Sequence, residues 1–332
     1  MTPRRLVRGC VVLAVLVVGV LAISCALAVR ALTTPLVLAG HTALIPTLAF
    51  SPKGRLLASG SHDKSARLWD LETGRAIHVL DHPGGVEGVA FTPDGDRLGT
   101  ACDDGKARIW SVATGQLERT LETSSPLHDV AFSPGGDLIA VAGVDGRLLV
   151  SSFDGRPVRE LKVSSLPALQ QVAFAPGGRY VGDASNARTA IWSLADGALL
   201  HEVEGGYSFS FSPDGAAFAV RLSNGRVRVI SLRDGSVQKE LLPGREGDDT
   251  AHGLAYSSRG TFLGVGQEAC IRIFSPPDGA LLGSFEVPAP VIDVAFSPDE
   301  ELCAVADNGG SVTVWRTRAL ELSRMRAWLR GR

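Results

Sequence analysis

An all-β chain, folded as a seven-bladed ring of four-stranded antiparallel sheets (a β-propeller), is predicted by three features of the sequence. From Gly40 to Gly74, alternating apolar runs flank the turn Ser51-Pro52-Lys53-Gly54, and a further run ends at Trp69-Asp70 before Thr73-Gly74. Such alternation, punctuated by Pro, Gly and Asp about every eight to twelve residues, reads as short strands joined by tight turns. An aromatic residue before a turn then recurs at Phe50, Phe91, Phe132, Phe174, Phe211, Tyr256 and Phe296, at intervals of 41, 41, 42, 37, 45 and 40 residues. A period near 40 with several strands per unit marks propeller blades rather than helical repeats. Finally, 45% apolar content with 38 glycines in 332 residues suits a large core cut by many turns.

The chain opens with a basic region, residues 1–8, carrying Arg4, Arg5 and Arg8. Residues 9–29, Gly9 to Val29, then run without a charge, long enough as a helix to span about 31 Å, roughly a bilayer core. Three arginines precede this transmembrane segment and Arg30 follows it. The positive-inside bias therefore places the N-terminus in the cytoplasm and the remainder outside it, as a single-pass membrane protein. The alternative is an exported soluble protein cleaved near Ala28, since Ala26-Leu27-Ala28 is an acceptable cleavage site, although the apolar core exceeds the usual 7 to about 15 residues of a signal peptide.

Residues 33–317 hold the seven repeats. The residue before each aromatic marker is always small: Ala49, Ala90, Ala131, Ala173, Ser210, Ala255 or Ala295. Inner strands converging on an axis need small side chains there, and the preceding residue, from Leu48 and Val89 through to Val294, points the other way to pack between blades. Outer turns recur as Thr73-Gly74, Thr114-Gly115, Asp154-Gly155, Asp196-Gly197, Asp234-Gly235 and Asp278-Gly279. The seventh unit stops at Trp315-Arg316 without one, so its fourth strand is expected from Thr34 to Leu38. That pairing would remove two exposed strand edges.

Two units match closely. His41, Ser59, Asp63 and Trp69 stand at the same mutual offsets as His82, Thr100, Asp104 and Trp110. With these residues the repeats resemble the WD-repeat family, the resemblance covering residues 33–317. In that family such a set forms a hydrogen-bonded structural tetrad, which suits a buried indole and imidazole that need partners. The other five units depart from it. Ser151, Ile230 and Phe274 fall where Trp is expected, while Trp192 and Trp315 lack the His and Ser/Thr. Apolar packing alone is expected to hold those blades.

The resemblance implies a non-catalytic protein–protein interaction scaffold with its partner on the upper face. The candidate contact residues there are His62, Lys64, Asp103, Lys106, Asn186, Asn224, Arg245 and Asp307, with the insertion Pro243 to Thr250 carrying Arg245. The alternative is a metal-dependent, lactonase-like propeller hydrolase using Glu87, His128, Asp129, Gln171, His252 and Asp293 at the channel mouth. Adjacent strand residues alternate in direction, so His128 and Asp129 are not expected to face the axis together.

The charge excludes other classes. Four arginines in residues 1–30 and six in 316–332 are opposed only by Glu321, so 23 basic and 34 acidic residues remain on the propeller, a net of −11. An acidic body argues against nucleic-acid binding. No Gly-x-Ser-x-Gly, P-loop or dinucleotide fingerprint is present, and no catalytic residue, cofactor or small-molecule substrate is assigned. Cys102, Cys270 and Cys303 stand singly, without metal-ligand spacing, and read as small buried hydrophobes. The C-terminal tail, residues 318–332, interleaves Leu322, Met325, Trp328 and Leu329 with arginine, a basic amphipathic pattern expected to pack on the acidic propeller or to be disordered, with contact to anionic lipid as the alternative.

Overall fold

The computed structural model describes residues 34–162, 168–206, 208–241 and 252–320. These form seven four-stranded antiparallel sheets. Blade one consists of an inner strand Thr47–Phe50, a second strand Leu56–Ser61, a third Ser65–Asp70 and an outer Arg75–Asp81. The next five blades repeat this order, with inner strands Val86–Phe91, Leu127–Phe132, Leu169–Phe174, Ser208–Phe211 and Leu254–Tyr256. Blade seven takes Val291–Phe296, Leu302–Asp307 and Val312–Arg316 from the end of the described chain and its outer strand, Leu36–Leu38, from the beginning. Leu36 pairs with Val314 and Leu38 with Val312. The strand starts two residues later than the sequence suggests because Pro35 has no N–H to give to the ladder.

Each blade presents two ends. At the lower end, the turn after the inner strand follows the Ser-Pro-x-Gly pattern. In blade one Gly54 N–H donates to Ser51 O at 2.8 Å, and Ser51 Oγ accepts from Leu56 N–H at 3.2 Å. Gly54 sits at φ 73°, the left-handed region that glycine enters without penalty. Blade seven puts Glu300 at this position, with φ 62°. Its carboxylate accepts Ser257 Oγ–H and Arg259 N–H, at 2.7 Å for the latter, so the strained residue ties its own turn to that of blade six. At the upper end, short turns between the second and third strands surround the channel mouth.

The core lies between blades rather than within one. Leu48, Val89, Val130, Val172, Phe209, Leu254 and Val294, the residues two before the aromatic markers, are all buried. Trp69 of blade one packs with Leu38, Val312 and Val314 of blade seven. Approach between neighbours is close: a Cβ added at Gly182 of blade four would stand 2.5 Å from the Phe209 ring of blade five. Cys102 and Cys303 are buried, whereas Cys270 is half-buried.

Candidate interaction face and channel mouth

In blade one the indole N–H of Trp69 donates to Ser59 Oγ at 2.8 Å, Ser59 lies 2.7 Å from His41 Nε2, and His41 Nδ1 lies 2.8 Å from Asp63. The proton order follows from capacity: Ser59 accepts from the indole and donates to Nε2, leaving Nδ1–H for the carboxylate. Burial lowers the His41 pKa despite its acidic partner. Burial alone would raise Asp63, but hydrogen bonds from Ser65 and His41 hold it at about 2.

Blade two corrects the expected tetrad. Trp110, Thr100 and His82 repeat the chain at 3.0 and 2.8 Å, but His82 Nδ1–H donates to its near neighbour Leu80 O at 2.9 Å. Asp104 instead binds Arg108 through two contacts, at 3.1 and 2.6 Å. Arg108, two residues before the Trp, gives this carboxylate a bidentate guanidinium partner, whereas Arg67 at the same place in blade one lies over the Trp69 ring. Burial, with Arg108 nearby, lowers the His82 pKa to about 4, so the ring is neutral near pH 7.

Blade four also departs from the expectation of apolar packing alone. Trp192 Nε1–H donates to Asp183 at 2.5 Å, and Arg188 lies 3.3 Å from the same carboxylate. Both charged residues are almost fully buried. Asp183 occupies the register of Ser59 and Thr100: each lies two residues beyond the partner of the Trp, which is Val181 in blade four and Leu57 and Leu98 in blades one and two. The hairpin turn of blade four is one residue shorter, so the offset from Trp falls from ten to nine and the match is lost to linear spacing. In blade seven Trp315 stacks on Phe285 with rings 4.9 Å apart, and its indole nitrogen finds no partner among the described residues.

The channel mouth is a cavity of about 390 Å³ whose lining includes His62, Glu87, His128, Asp129, Gln170, Gln171, Asn186, His252 and Asp293. His128 and Asp129 both line it, contrary to simple alternation. A β-bulge between Leu127 and Asp129 shifts the register there, as in blades two, four and seven. In four blades the residue three before the aromatic marker clamps the next blade. Asp129 accepts Val172 N–H at 2.9 Å, Gln171 accepts Phe209 N–H at 2.9 Å, Asp293 accepts Leu48 N–H at 2.7 Å and Thr47 accepts Val89 N–H at 3.3 Å. Blade two has Gly88 there, where a Cβ would stand 2.6 Å from Asp129 Cα. The sequence signal for these clamps was the recurring polar residue at this offset, which also made them look like ligands.

Of the six residues of the proposed metal ring, Asp129, Gln171 and Asp293 therefore have oxygens bonded to backbone. His128 Nδ1–H donates to Leu169 O at 2.8 Å, and Glu87 lies 2.6 Å from His62. Among the described residues no group of three or more His, Cys, Asp or Glu side chains converges as a metal site.

Burial pushes the carboxyls of Asp129 and Asp293 up to about 7, against the backbone N–H bonds that favour the charged form. Their folded pKa lies above the unfolded value of 3.8, so the stability they contribute is complete below about pH 4 and is lost as pH rises through about 7. The expected outcome is a thermal midpoint that falls from pH 5 to pH 8. The fall should be reduced in Asp129→Asn/Asp293→Asn, whose single amide oxygens keep one of the two backbone N–H bonds that each carboxylate accepts. An unchanged pH profile in the double variant would contradict this account.

The upper turns present His62, Lys64, Asp103, Asn186 and Asn224 as exposed residues. Lys106 is half-buried and pairs with Glu122 at 2.6 Å. Asp307 is a correction: it is buried and its carboxylate accepts Gly309 N–H and Ser311 N–H at 2.9 and 3.1 Å, so it shapes a turn and offers nothing to a partner. Arg245 lies outside the described residues.

The sequence family described as WD domain, G-beta repeat (WD40) matches residues 33–70, 74–111, 115–152 and 279–316. Four WD repeats thus lie within this seven-bladed β-propeller. Each matched window holds the outer strand of one blade and the first three of the next, so the sequence repeat of this propeller is offset by one strand from the structural blade. Residues 153–278 fall outside the matched windows, and this interval contains the Asp183 arrangement and the Ile230 and Phe274 blades. The chain is 44% identical over 46 residues to the ribosome biogenesis protein BOP1 homologs of Drosophila virilis and Drosophila persimilis, covering 14% of this chain and 6% of each relative. The corresponding protein of Drosophila erecta is 43% identical over 42 residues, 13% of this chain and 5% of the relative. The match thus spans about one repeat, a small part of those relatives' length.

Proposed function

We propose that this propeller is a non-catalytic platform for protein–protein interaction, tethered to a membrane by Gly9 to Val29, with the N-terminus cytoplasmic and the propeller on the other side. The observation that carries the reading is the use of the channel-mouth side chains. Asp129, Gln171 and Asp293, which a hydrolase would need for chemistry, bond the backbone of neighbouring blades, while the turns above them expose charged and polar groups on a rigid rim. WD-repeat architecture suits an interaction scaffold, and fold by itself leaves the partner open. The likeness to the ribosome biogenesis proteins is one repeat long and reflects shared blade architecture, so it does not bring their role to this chain. Among the described residues no helix is long and apolar enough to cross a membrane, and Gly9 to Val29 lies outside them. The tether therefore rests on the uncharged run and its flanking arginines.

Crosslinking in intact cells that produce the full chain tests the platform. A discrete protein adduct is expected, lost in His62→Ala/Lys64→Glu/Asp103→Lys and kept in the lower-face variant Lys53→Glu/Arg233→Glu. Equal capture by both variants would remove the upper face as the contact surface. A stoichiometric divalent metal in the purified protein would favour the hydrolase instead.

A further inference from the structure

Both ends of the described chain leave the propeller at one place. Leu36 pairs with Val314, two residues from the lower end of the third strand of blade seven. Its side chain lies against the lower turn of blade one, where a Cβ on Gly74 would stand 3.0 Å from Leu36 Cδ1. The other end is fixed to the same rim. Thr317 N–H donates to Glu301 O at 3.0 Å and Thr317 Oγ1–H to Glu300 O at 2.6 Å, both in the lower turn of blade seven. Ala319 and Leu320 are then buried against blades six and seven.

We infer that the lower face, at the corner made by blades six, seven and one, lies against an anionic bilayer surface, with the channel mouth facing away from it. This rests on the tethered reading proposed above and adds an orientation to it. The geometry is restrictive because the link is short. Four residues separate Val29 from Thr34, five backbone steps that span at most about 17 Å when fully extended. A six-residue strand is itself about 20 Å long, so a bilayer at the upper face could not be reached from the lower rim.

The basic charge on this side comes mainly from the sequence after Leu320. The corner exposes Lys53, Arg55, Arg75, Arg259, Arg316 and Arg318. Of the acids beside them, Asp96 pairs with Lys53 at 2.9 Å, Glu301 pairs with Arg318 at 2.9 Å, Asp70 caps the Thr73 turn, Asp299 caps Ser297 and Asp278 is exposed, so the described corner is close to balanced in charge. Glu72 is exposed. Residues 321–332, which follow Leu320 in the sequence, carry four more arginines against Glu321. Basic groups within a Debye length of an anionic leaflet are attracted to it.

Fluorescence transfer on full-length protein in vesicles tests this orientation. A donor dye is attached in separate preparations at Lys53→Cys on the lower face and Lys64→Cys on the upper face, with acceptor-labelled headgroups in vesicles of phosphatidylcholine alone or with a third phosphatidylglycerol. Cys102 and Cys303 are buried, and a preparation without the added cysteine corrects for labelling elsewhere. The expected result is transfer several-fold greater from position 53 than from 64 in both vesicle types, with the contrast increased by phosphatidylglycerol. Equal or greater transfer from position 64 in vesicle-bound protein overturns the orientation and leaves the tether standing. Protein that fails to float with vesicles, or that begins at Val29 when recovered from cells, overturns the tether and the orientation with it.

Discussion

Replacing Asp183 by Ala is expected to lower folding stability by about 3–5 kcal/mol, the cost of leaving a buried charge without its partner. The change strands two groups at once. Trp192 loses the acceptor of its indole N–H, and Arg188, buried behind the same carboxylate, keeps a contact to Glu202 at 3.4 Å and its place over the Trp192 ring. Burial raises the Asp183 pKa even with Arg188 beside it, which shows how far desolvation weighs on this pair. The double variant Asp183→Ser/Arg188→Ser should recover much of the loss. It recreates blade one, where Ser59 accepts the indole bond and Ser65 holds the register position of Arg188. Urea unfolding of both variants provides the check. A loss below about 1 kcal/mol in Asp183→Ala would place the pair outside the range of buried ion pairs.

A chain beginning at Thr42 is expected to unfold at a much lower temperature than one beginning at Thr33, or to aggregate. It lacks the outer strand of blade seven, so the strand Val312–Arg316 becomes an unpaired edge. It also loses Leu38, which is 2% exposed and packs with Trp69, Ile45 and Val314. Truncating such a leucine to Ala costs about 2–5 kcal/mol by itself, and opening the ring removes the mutual support of first and last blades. The shorter chain also lacks His41, so the comparison includes His41→Ala in the longer chain, which keeps the strand. Equal thermal midpoints for the Thr42 chain and His41→Ala would show that the lost tetrad, not the lost closure, accounts for the effect.

The aromatic markers, the small residue before each and the missing seventh turn made the ring and its closure legible. These features are periodic in sequence, and a strand's two-residue alternation converts directly into which side is buried. The Trp69 tetrad was legible for the same reason, since its residues keep fixed offsets within one repeat. The Asp183 arrangement was not, because one residue removed from a hairpin turn changes the linear offset while leaving the cross-strand register intact.

Sequence alone determined the repeat number, the order of strands and the residues facing the gaps between blades, because backbone pairing and burial follow from local pattern. The tertiary structure decided what the polar residues do. Asp104 meets Arg108 instead of His82, Asp307 folds back on its own turn, and Asp129 and Asp293 clamp neighbouring blades where bulges turn them. A carboxylate accepts from whichever donor lies within hydrogen-bonding distance. For most of these groups that donor belongs to another strand or blade, at a distance that no interval along the chain encodes.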